Sequence, residues 1–383
     1  MKIAFYSIYL NHHQAVLADE LYSLLKDDYV FVELAECIDN KGSLENFSNR
    51  PYLLKAWKSS STRDRAIEIA KTFDVCVFGG HLADDFLAER MKVGLLSFDM
   101  GERPLKRGLL NLLSPRLIKS QWNYHTRYHN KPYYRLCCNA YAPNDLYLLH
   151  SFKGRCFKWG YFTKVNEDNK IKNQTMEETT PITTSIMWCA RFLKWKHPEL
   201  PVLLAYKLKK KDYKFHIDMF GNGKEFERTE SLIIDLGVDD CVKLRGNLPN
   251  DKILEEMQRH SVFLFTSDQN EGWGAVLNEA LGSGCATVAS HLTGSSPYLI
   301  EDGINGLIFK SGKVDDLLEK VSYLIDNPME QIKIRVNAHN TMLGLWSAKC
   351  AASRFLLLCE GLLEASNHLE LPENGPCSRA LPL

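Results

Sequence analysis

No run in the 383-residue chain reaches the roughly 18 consecutive apolar residues that a membrane-spanning helix needs. Membrane contact, where it occurs, is therefore expected to be peripheral. Net charge is also missing, since 47 Lys+Arg balance 47 Asp+Glu, so no strong bulk attraction to nucleic acid is implied. No two of the 11 cysteines have metal-ligand spacing, and Cys137 and Cys138 are adjacent in an apolar run. An odd number of buried-looking thiols favours a reducing cytosol over a disulfide framework. Gly221-Asn222-Gly223 lacks the third glycine of a dinucleotide fingerprint, which takes weight from an NAD reading. Tandem repeats, low-complexity tracts and Asp-x-Asp metal-binding triplets are absent as well. Met1-Lys2-Ile3-Ala4-Phe5-Tyr6 reads as a short strand and not a signal peptide, because polar residues and His12-His13 follow too soon.

At 383 residues there is length for two α/β domains. The 45% hydrophobic and 25% charged content is that of an ordinary globular protein. The charge is unevenly placed. Residues 1–165 hold 23 Lys+Arg and 17 Asp+Glu, a net +6, and the rest hold 24 and 30, a net −6. A basic N-terminal half suits an anionic surface or acceptor. Strands are expected at 2–7, 29–34, 74–78, 93–98, 133–137 and 155–160, then at 184–189, 215–220, 241–244, 261–266 and 285–290. The Thr/Asn/Glu-rich stretch 166–181 between the two groups reads as a linker. It separates an N-terminal domain, 1–165, from a C-terminal one, 182–345. A helix is expected over 346–366 and a loose, Pro-rich tail over 367–383.

The most informative stretch is 261–290. A buried strand leads into Asp268-Gln269-Asn270-Glu271-Gly272-Trp273-Gly274, then a helix from Ala275 stopped at Gly282 and Gly284, then another buried strand. A helix N-terminus offers unpaired N–H groups and partial positive charge, which suit a phosphate. Gly272 and Gly274 allow close approach to the backbone. Glu271 and Glu279 place hydroxyl acceptors on either side of that anion site. A molecule with hydroxyls on both sides of a phosphate, such as a nucleotide-sugar, fits this arrangement. A βαβ unit with solvated acids has the same spacing, since acids favour helix N-termini anyway.

Glu271 and Glu279 with seven residues between them, the Gly272-Trp273-Gly274 turn and the following Gly284-Cys285-Ala286-Thr287-Val288-Ala289 resemble the signature of family 4 retaining glycosyltransferases. That resemblance implies a GT-B fold: two Rossmann-like α/β domains with parallel sheets facing a central cleft, the final helix crossing back to the first domain. It implies that Glu271 binds donor-sugar hydroxyls and Glu279 the ribose. The backbone from Gly272 through Trp273, Gly274, Ala275 and Val276 would then hold sugar and phosphate. Arg191 and Lys196, five apart before a helix, make a pair of cations suited to a diphosphate and match the family's diphosphate clamp. Arg245-Gly246-Asn247-Leu248 resembles the loop on the nucleotide base, Gly221 belongs to the donor side, and His291 and Thr293 fall near the diphosphate. The implied reaction moves a hexosyl unit from a UDP- or GDP-linked sugar to a glycan or polyprenyl-linked acceptor, with retention, in bacterial surface polysaccharide synthesis. The fixed cations Arg191 and Lys196 remove the need for a metal, and no cofactor is expected. Glu271 is then a binder and not a nucleophile.

On the N-terminal side, strand ends carry polar residues where open α/β sheets bind ligands. His12 and His13 are expected in a loop before a helix at 14–25. His81 follows Gly79-Gly80. Asp99 and Glu102 follow the strand at 93–98 and are candidates to bind or deprotonate an acceptor hydroxyl, although caps and turns use the same acids. Residues 38–62 read as irregular. Residues 105–122 mix Lys106, Arg107, Arg116 and Lys119 with leucines and Trp122, and Pro115 divides them into two helices. Such a segment either packs on its own sheet with a basic edge or lies on an anionic membrane. Two other classes stay open: a non-catalytic glycan- or nucleotide-binding subunit on the same fold, and another GT-B enzyme, an epimerase or a phosphorylase.

Overall fold

The computed structural model describes residues 1–36, 47–106, 108–166, 183–364 and 370–383. Beyond Asn166 the expected linker lies outside these residues, as do 38–46 of the expected irregular stretch, Arg107, and 367–369 of the expected tail. The chain forms two compact units, 1–163 with 347–383, and 164–346.

The first unit holds seven parallel strands: β1 (Ile3–Ser7), β2 (Tyr29–Glu33), β3 (Leu53–Lys55), β4 (Val75–Gly79), β5 (Ser97–Gly101), β6 (Tyr133–Cys137) and β7 (Cys156–Lys158). Their order is β3-β2-β1-β4-β5-β6-β7. β1 is buried along its whole length, with Phe5 level with Phe31 on one side and Val77 on the other. The chain therefore grows outward to β3 and then restarts on the other side of β1. That reversal opens a crevice at the carboxyl ends of β1 and β4. A helix, Asp84–Val93, which the sequence reading missed, ends at Gly94 in the left-handed region (φ 79°). β5 consequently starts later than expected and runs through Asp99. β3 lies within the stretch expected to be irregular.

Arg90 ties this unit together from inside. Its buried guanidinium donates to Ser97 Oγ and to the carbonyls of Ala70, Phe73, Asp74 and Leu96. All five N–H groups thus have acceptors, as burial of a guanidinium requires. The helix Ala348–Leu363 belongs to the same unit, and its Phe355 packs on Phe5, Phe98 and Trp159. Residues 370–383 are not loose. Lys158 N–H donates to Ser378 O at 2.8 Å, Cys377 N–H to Lys158 O at 2.9 Å, and Ala380 N–H to Cys156 O at 3.0 Å. The tail occupies the open edge of β7, whose ladder groups would otherwise be unpaired.

The second unit holds six parallel strands: β8 (Thr184–Cys189), β9 (Phe215–Phe220), β10 (Val242–Gly246), β11 (Val262–Phe265), β12 (Ala286–Ser290) and β13 (Leu307–Phe309). Their order is β10-β9-β8-β11-β12-β13. Ile186 lies level with Ile217 and Val262, at the centre of an aliphatic core that includes Trp188, Leu264 and Val288. Here too the first strand is central, and the order reverses between it and the fourth, β11. Among the described residues, no single helix is long and apolar enough to cross a membrane.

Candidate functional site

The carboxyl ends of β8 and β11 converge on one buried ion pair. Lys196 sits in a single 3-10 turn, Lys194–Lys196, after β8, and its ammonium pairs with Glu271 Oε2. Ser267 Oγ donates to the same oxygen at 3.0 Å. Both side chains are buried. Either charge alone would be costly there, so each requires the other. Both bonds use Oε2, and among the described residues Oε1 accepts none.

Several groups hold this pair in place. Trp188 Nε1 donates to Thr266 Oγ1 at 2.8 Å, and Thr266 Oγ1 donates to the carbonyl of Lys196 at 2.6 Å. Asp268 N–H donates to Trp195 O at 3.0 Å. His197, in the left-handed region at φ 52°, bridges Glu199 through Nδ1 (2.7 Å) and Asp268 through Nε2 (3.3 Å). The hydrogen bond to Glu199, with the Asp268 charge beyond it, raises the His197 pKa. Sequence reasoning missed Thr266, Ser267, His197 and Asp268. A Ser or Thr at a strand end and an acid in a turn look the same whether or not they face a partner.

Arg191 follows β8 after Ala190 and is exposed. Among the described residues it forms no ion pair. Its loop is held by backbone contacts from the turn after β9. Phe192 N–H donates to Asn222 O at 2.9 Å, and Glu225 N–H to Phe192 O at 3.0 Å. Gly221 has φ 125°, and a Cβ there would lie 1.9 Å from the Ala190 carbonyl oxygen. Gly221, expected on the donor side, thus has a structural duty: it allows the turn to press against the loop that carries Arg191.

The helix Ala275–Gly282 opens after Gly274, whose φ of 85° and ψ of 69° are left-handed. A Cβ at Gly274 would lie 2.4 Å from Phe265 Cζ. No side chain caps this helix and no acid occupies its first turn, so its N-terminus keeps its positive character. Ala275 and Val276 are half-buried there, and Gly272 is buried. Trp273 was expected to meet the donor through its backbone. Its side chain is core, with Nε1 donating to Asn278 Oδ1 at 2.8 Å, and its carbonyl accepts from Ser295 Oγ at 2.6 Å. Asn250 Nδ2 donates to Glu279 Oε1 at 3.3 Å. This links Glu279 to the loop bearing exposed Asn247 and Leu248, just ahead of the helix Asn250–Arg259. Burial pushes the Glu279 carboxyl up to about 7, against the hydrogen bond from Asn250. His291 Nδ1 accepts from Ser311 N–H at 3.0 Å, while Thr293 is buried and bonded to Ser290 O and Ser296 Oγ within its turn.

In the first unit, His12 and His13 are not in a loop. They form the first turn of the helix His12–Leu25, because Asn11 caps it, accepting from His13 N–H and Gln14 N–H at 3.1 Å each. The His13 ring lies parallel to Tyr161 at 6.2 Å, and Tyr161 Oη donates to Glu102 Oε1 at 3.1 Å. Glu102 also pairs with Lys106. Burial, aided by the neighbouring His12, lowers His13 to about 3, so His13 is neutral near neutral pH and is no ready proton donor. His81 is exposed in a 3-10 turn after β4. Asp99 is no end-of-strand acid: it pairs with Arg135, level with it on β6, and with His125 Nε2 at 3.3 Å. A carboxylate neutralised in this way is a poor base. Tyr161, which joins His13 to Glu102, was not among the expected site residues.

Residues 167–341 match the family model described as "Glycosyl transferases group 1". A poly(ribitol-phosphate) alpha-N-acetylglucosaminyltransferase of Staphylococcus aureus is 25% identical over 172 residues, 44% of this chain and 34% of that protein. A poly(glycerol-phosphate) alpha-glucosyltransferase of Bacillus subtilis is 29% identical over 109 residues, 28% and 16%. The matches thus span about a third or less of these curated relatives. The crystal structure of Anabaena Alr3699/HepE in complex with UDP superposes with a TM-score of 0.67 at 13% identity, over 93% of this chain and 98% of that one. The likeness at that identity is one of fold: two parallel-sheet α/β units, as in GT-B proteins. The family match falls wholly within the second unit, which is thus the part of the chain that matches the group 1 glycosyl transferase domain.

Proposed function

We propose that the chain is a retaining glycosyltransferase that moves a hexosyl unit from a nucleoside-diphosphate sugar to a glycan or polyprenyl-linked hydroxyl. The observation that carries this reading is the Lys196–Glu271 pair, set beside an uncapped helix N-terminus at the point where the β8 and β11 crossovers diverge. The diphosphate lies against Lys196, Arg191 and the N-terminus of Ala275–Gly282. Glu271 accepts a sugar hydroxyl through its free Oε1, and Glu279 accepts from the ribose. As the bond from the anomeric carbon to the diphosphate oxygen breaks, Arg191 and Lys196 stabilise the charge left on the leaving group. The acceptor oxygen forms its bond on the same face, and its proton passes to the departing phosphate oxygen. Two fixed cations supply the charge that a metal supplies elsewhere, so turnover is expected to survive chelation. We place the reaction in the cytoplasm of a bacterium, in surface polysaccharide synthesis, consistent with relatives named for poly(ribitol-phosphate) and poly(glycerol-phosphate) transfer.

The test is release of nucleoside diphosphate from UDP-, GDP-, ADP- and dTDP-sugars by the purified chain, with thermal shift on each donor. Release from one donor, abolished in Arg191→Ala and Glu271→Gln, supports the reading. Binding without release, even with mixed glycan acceptors, would mark a binding subunit. No binding to any donor sinks the proposal.

A further inference from the structure

We propose that His216, Asp218 and His260 form a binding site for a divalent transition metal in the second unit. Strand alternation brings the three together. Phe215, Ile217 and Met219 of β9 enter the aliphatic core, so His216 and Asp218 share the opposite face. His260 ends the helix Asn250–Arg259 and precedes β11. Ser185 of β8 lies level with His216, and Ser261 N–H donates to Ser185 O at 3.1 Å. The short Ser185 side chain lets the two imidazoles meet across β8, with ring centroids 5.9 Å apart. One ligand atom from each of the three residues lies within 4.8 Å of the others.

The hydrogen bonds favour a metal ion over a proton. His260 Nδ1 lies 2.7 Å from the Glu256 carbonyl oxygen, so Nδ1 carries the hydrogen and Nε2 of the neutral ring keeps its lone pair. That lone pair faces Asp218 Oδ2 at 3.2 Å. Two acceptors so placed need a positive charge between them, the more so because His260 and Asp218 are buried, at 3% and 7% exposure. A proton on Nε2 would satisfy these two atoms alone. It leaves no part for His216, whose half-buried ring has no hydrogen-bond partner among the described residues. A metal ion engages all three. The 3.2 Å spacing fits two ligands of one ion, which lie about 3.0 to 3.4 Å apart for bonds near 2.1 Å. The surroundings also suit a metal centre, where a ligating imidazole donates its other N–H to a carbonyl and a ligating carboxylate is itself held in place. Here Arg245 Nε holds Asp218 Oδ1 at 2.7 Å. Two imidazoles and one carboxylate select a transition metal over Mg²⁺ or Ca²⁺, which take oxygen ligands. His216 and His260 lie toward the amino ends of β9 and β11, whereas Lys196 and Glu271 follow the carboxyl ends of β8 and β11. The site is therefore distinct from the Lys196–Glu271 pair, and its ion fastens β9 to the chain entering β11.

The proposal rests on this cluster and not on the transfer chemistry. The test uses untagged full-length chain, stripped with a chelator and dialysed. Calorimetric titration with Zn²⁺ should show one equivalent bound, and thermal melting should shift upward with Zn²⁺ and not with Mg²⁺. Co²⁺ should give visible bands of nitrogen and oxygen ligation without thiolate charge-transfer absorption. His216→Gln should weaken Zn²⁺ binding by about a hundredfold, since even a residue behind a ligand is worth about tenfold to a hundredfold. Its metal-free melting should match that of the wild type, because the His216 ring holds no hydrogen bond among the described residues. Asp218→Asn should weaken binding as strongly. In histidine-selective NMR, Zn²⁺ should move the His260 Nε2 signal while Nδ1–H stays on the Glu256 carbonyl. An unmoved His260 signal means an imidazolium–carboxylate pair only, and overturns the proposal. Undiminished binding by His216→Gln overturns it too, as does absence of Zn²⁺ binding by the wild type. Thiolate bands with Co²⁺ would assign the ion to cysteines and have the same consequence.

Discussion

The two sheets share a plan and differ in what they place at its focus. In both, the first strand is central and the chain reverses between the first and fourth strands, β1 and β4 in one unit, β8 and β11 in the other. The second unit places opposite charges there, Lys196 and Glu271, locked by Ser267 and Thr266. The first places imidazoles there: His12 and His13 follow β1, and His81 follows β4. Burial keeps His13 neutral. The topology thus makes a crevice in each unit, and the side chains decide its ligand. Fixed charge suits an anion, while a neutral imidazole suits a hydroxyl.

The largest expected effects test that division directly. Lys196→Met should lower donor turnover by about a hundredfold to a thousandfold, the usual worth of a preorganised charge at a developing anion. Glu271→Ala should also destabilise the fold by about 3 kcal/mol, since it leaves a buried ammonium unpaired. Restoring neutrality in the Lys196→Met/Glu271→Gln double variant should recover much of that stability but not turnover. His13→Asn should cost less donor affinity than Lys196→Met, because a neutral imidazole brings no charge to an anion, while transfer to acceptor falls. Equal losses of donor affinity in Lys196→Met and His13→Asn would break the comparison.

Backbone strain offers a second contrast. Gly221 and Gly80 both have positive φ after a strand, 125° and 84°. An alanine Cβ at 221 meets the Ala190 carbonyl at 1.9 Å, whereas at 80 the nearest atom is an Ile8 side-chain carbon at 3.6 Å. Gly80→Ala should therefore cost only the strain of its φ, about 1 to 2 kcal/mol. Gly221→Ala adds a clash with backbone, should cost roughly 3 kcal/mol or more in urea unfolding, and should weaken donor binding by shifting Arg191.

These contrasts also show which parts of the molecule were legible in its sequence. The β8 segment, Thr184–Cys189, carries the apolar run Ile186–Cys189 and is followed by a charged loop, and its bounds could be read directly. Glu271 and Glu279 stood out because glycines and a helix start fix their spacing. The partners that complete the site did not. Ser267 and Thr266 act through contacts to residues about 70 positions away or across a turn, and sequence periodicity carries no such information. The helix Asp84–Val93 was lost among its charges, and Asp99 was misplaced because Gly94 delays β5. The tail read as loose because its order comes from the unpaired edge of β7 and not from its own propensity.

Glu279 gives a smaller effect with a definite sign. Its pKa is raised to about 7 by burial, so the carboxylate becomes the main form only above that value. A carboxylate accepts ribose hydroxyls better than the neutral acid. Donor affinity should therefore rise as pH passes upward through about 7, a few-fold in all, and Glu279→Gln should flatten that rise in a titration of Kd against pH. The same burial lowers stability as pH rises from the ordinary glutamate range to about 7. An unchanged pH profile in Glu279→Gln would move the titration to another group.

The smallest effect concerns the clamp behind Lys196. His197 has a raised pKa because Glu199 and Asp268 favour its charged form. A histidine whose folded pKa exceeds its unfolded value adds stability that is fully present below the unfolded value, about 6.5. That contribution disappears as pH rises through the folded value. Wild type should therefore exceed His197→Gln in stability by the most in mildly acidic solution, and the gap should narrow in mildly alkaline solution. The pair is partly solvent-exposed, so the gap should be small, about 1 kcal/mol or less. Chemical denaturation across that pH range reads it. Asp268→Asn should lower the His197 pKa, followed by NMR, while leaving the Lys196–Glu271 contact in place. A gap that widens with pH would mean that the neutral imidazole holds the loop, with Nδ1–H donating to Glu199 and Asp268 contributing nothing.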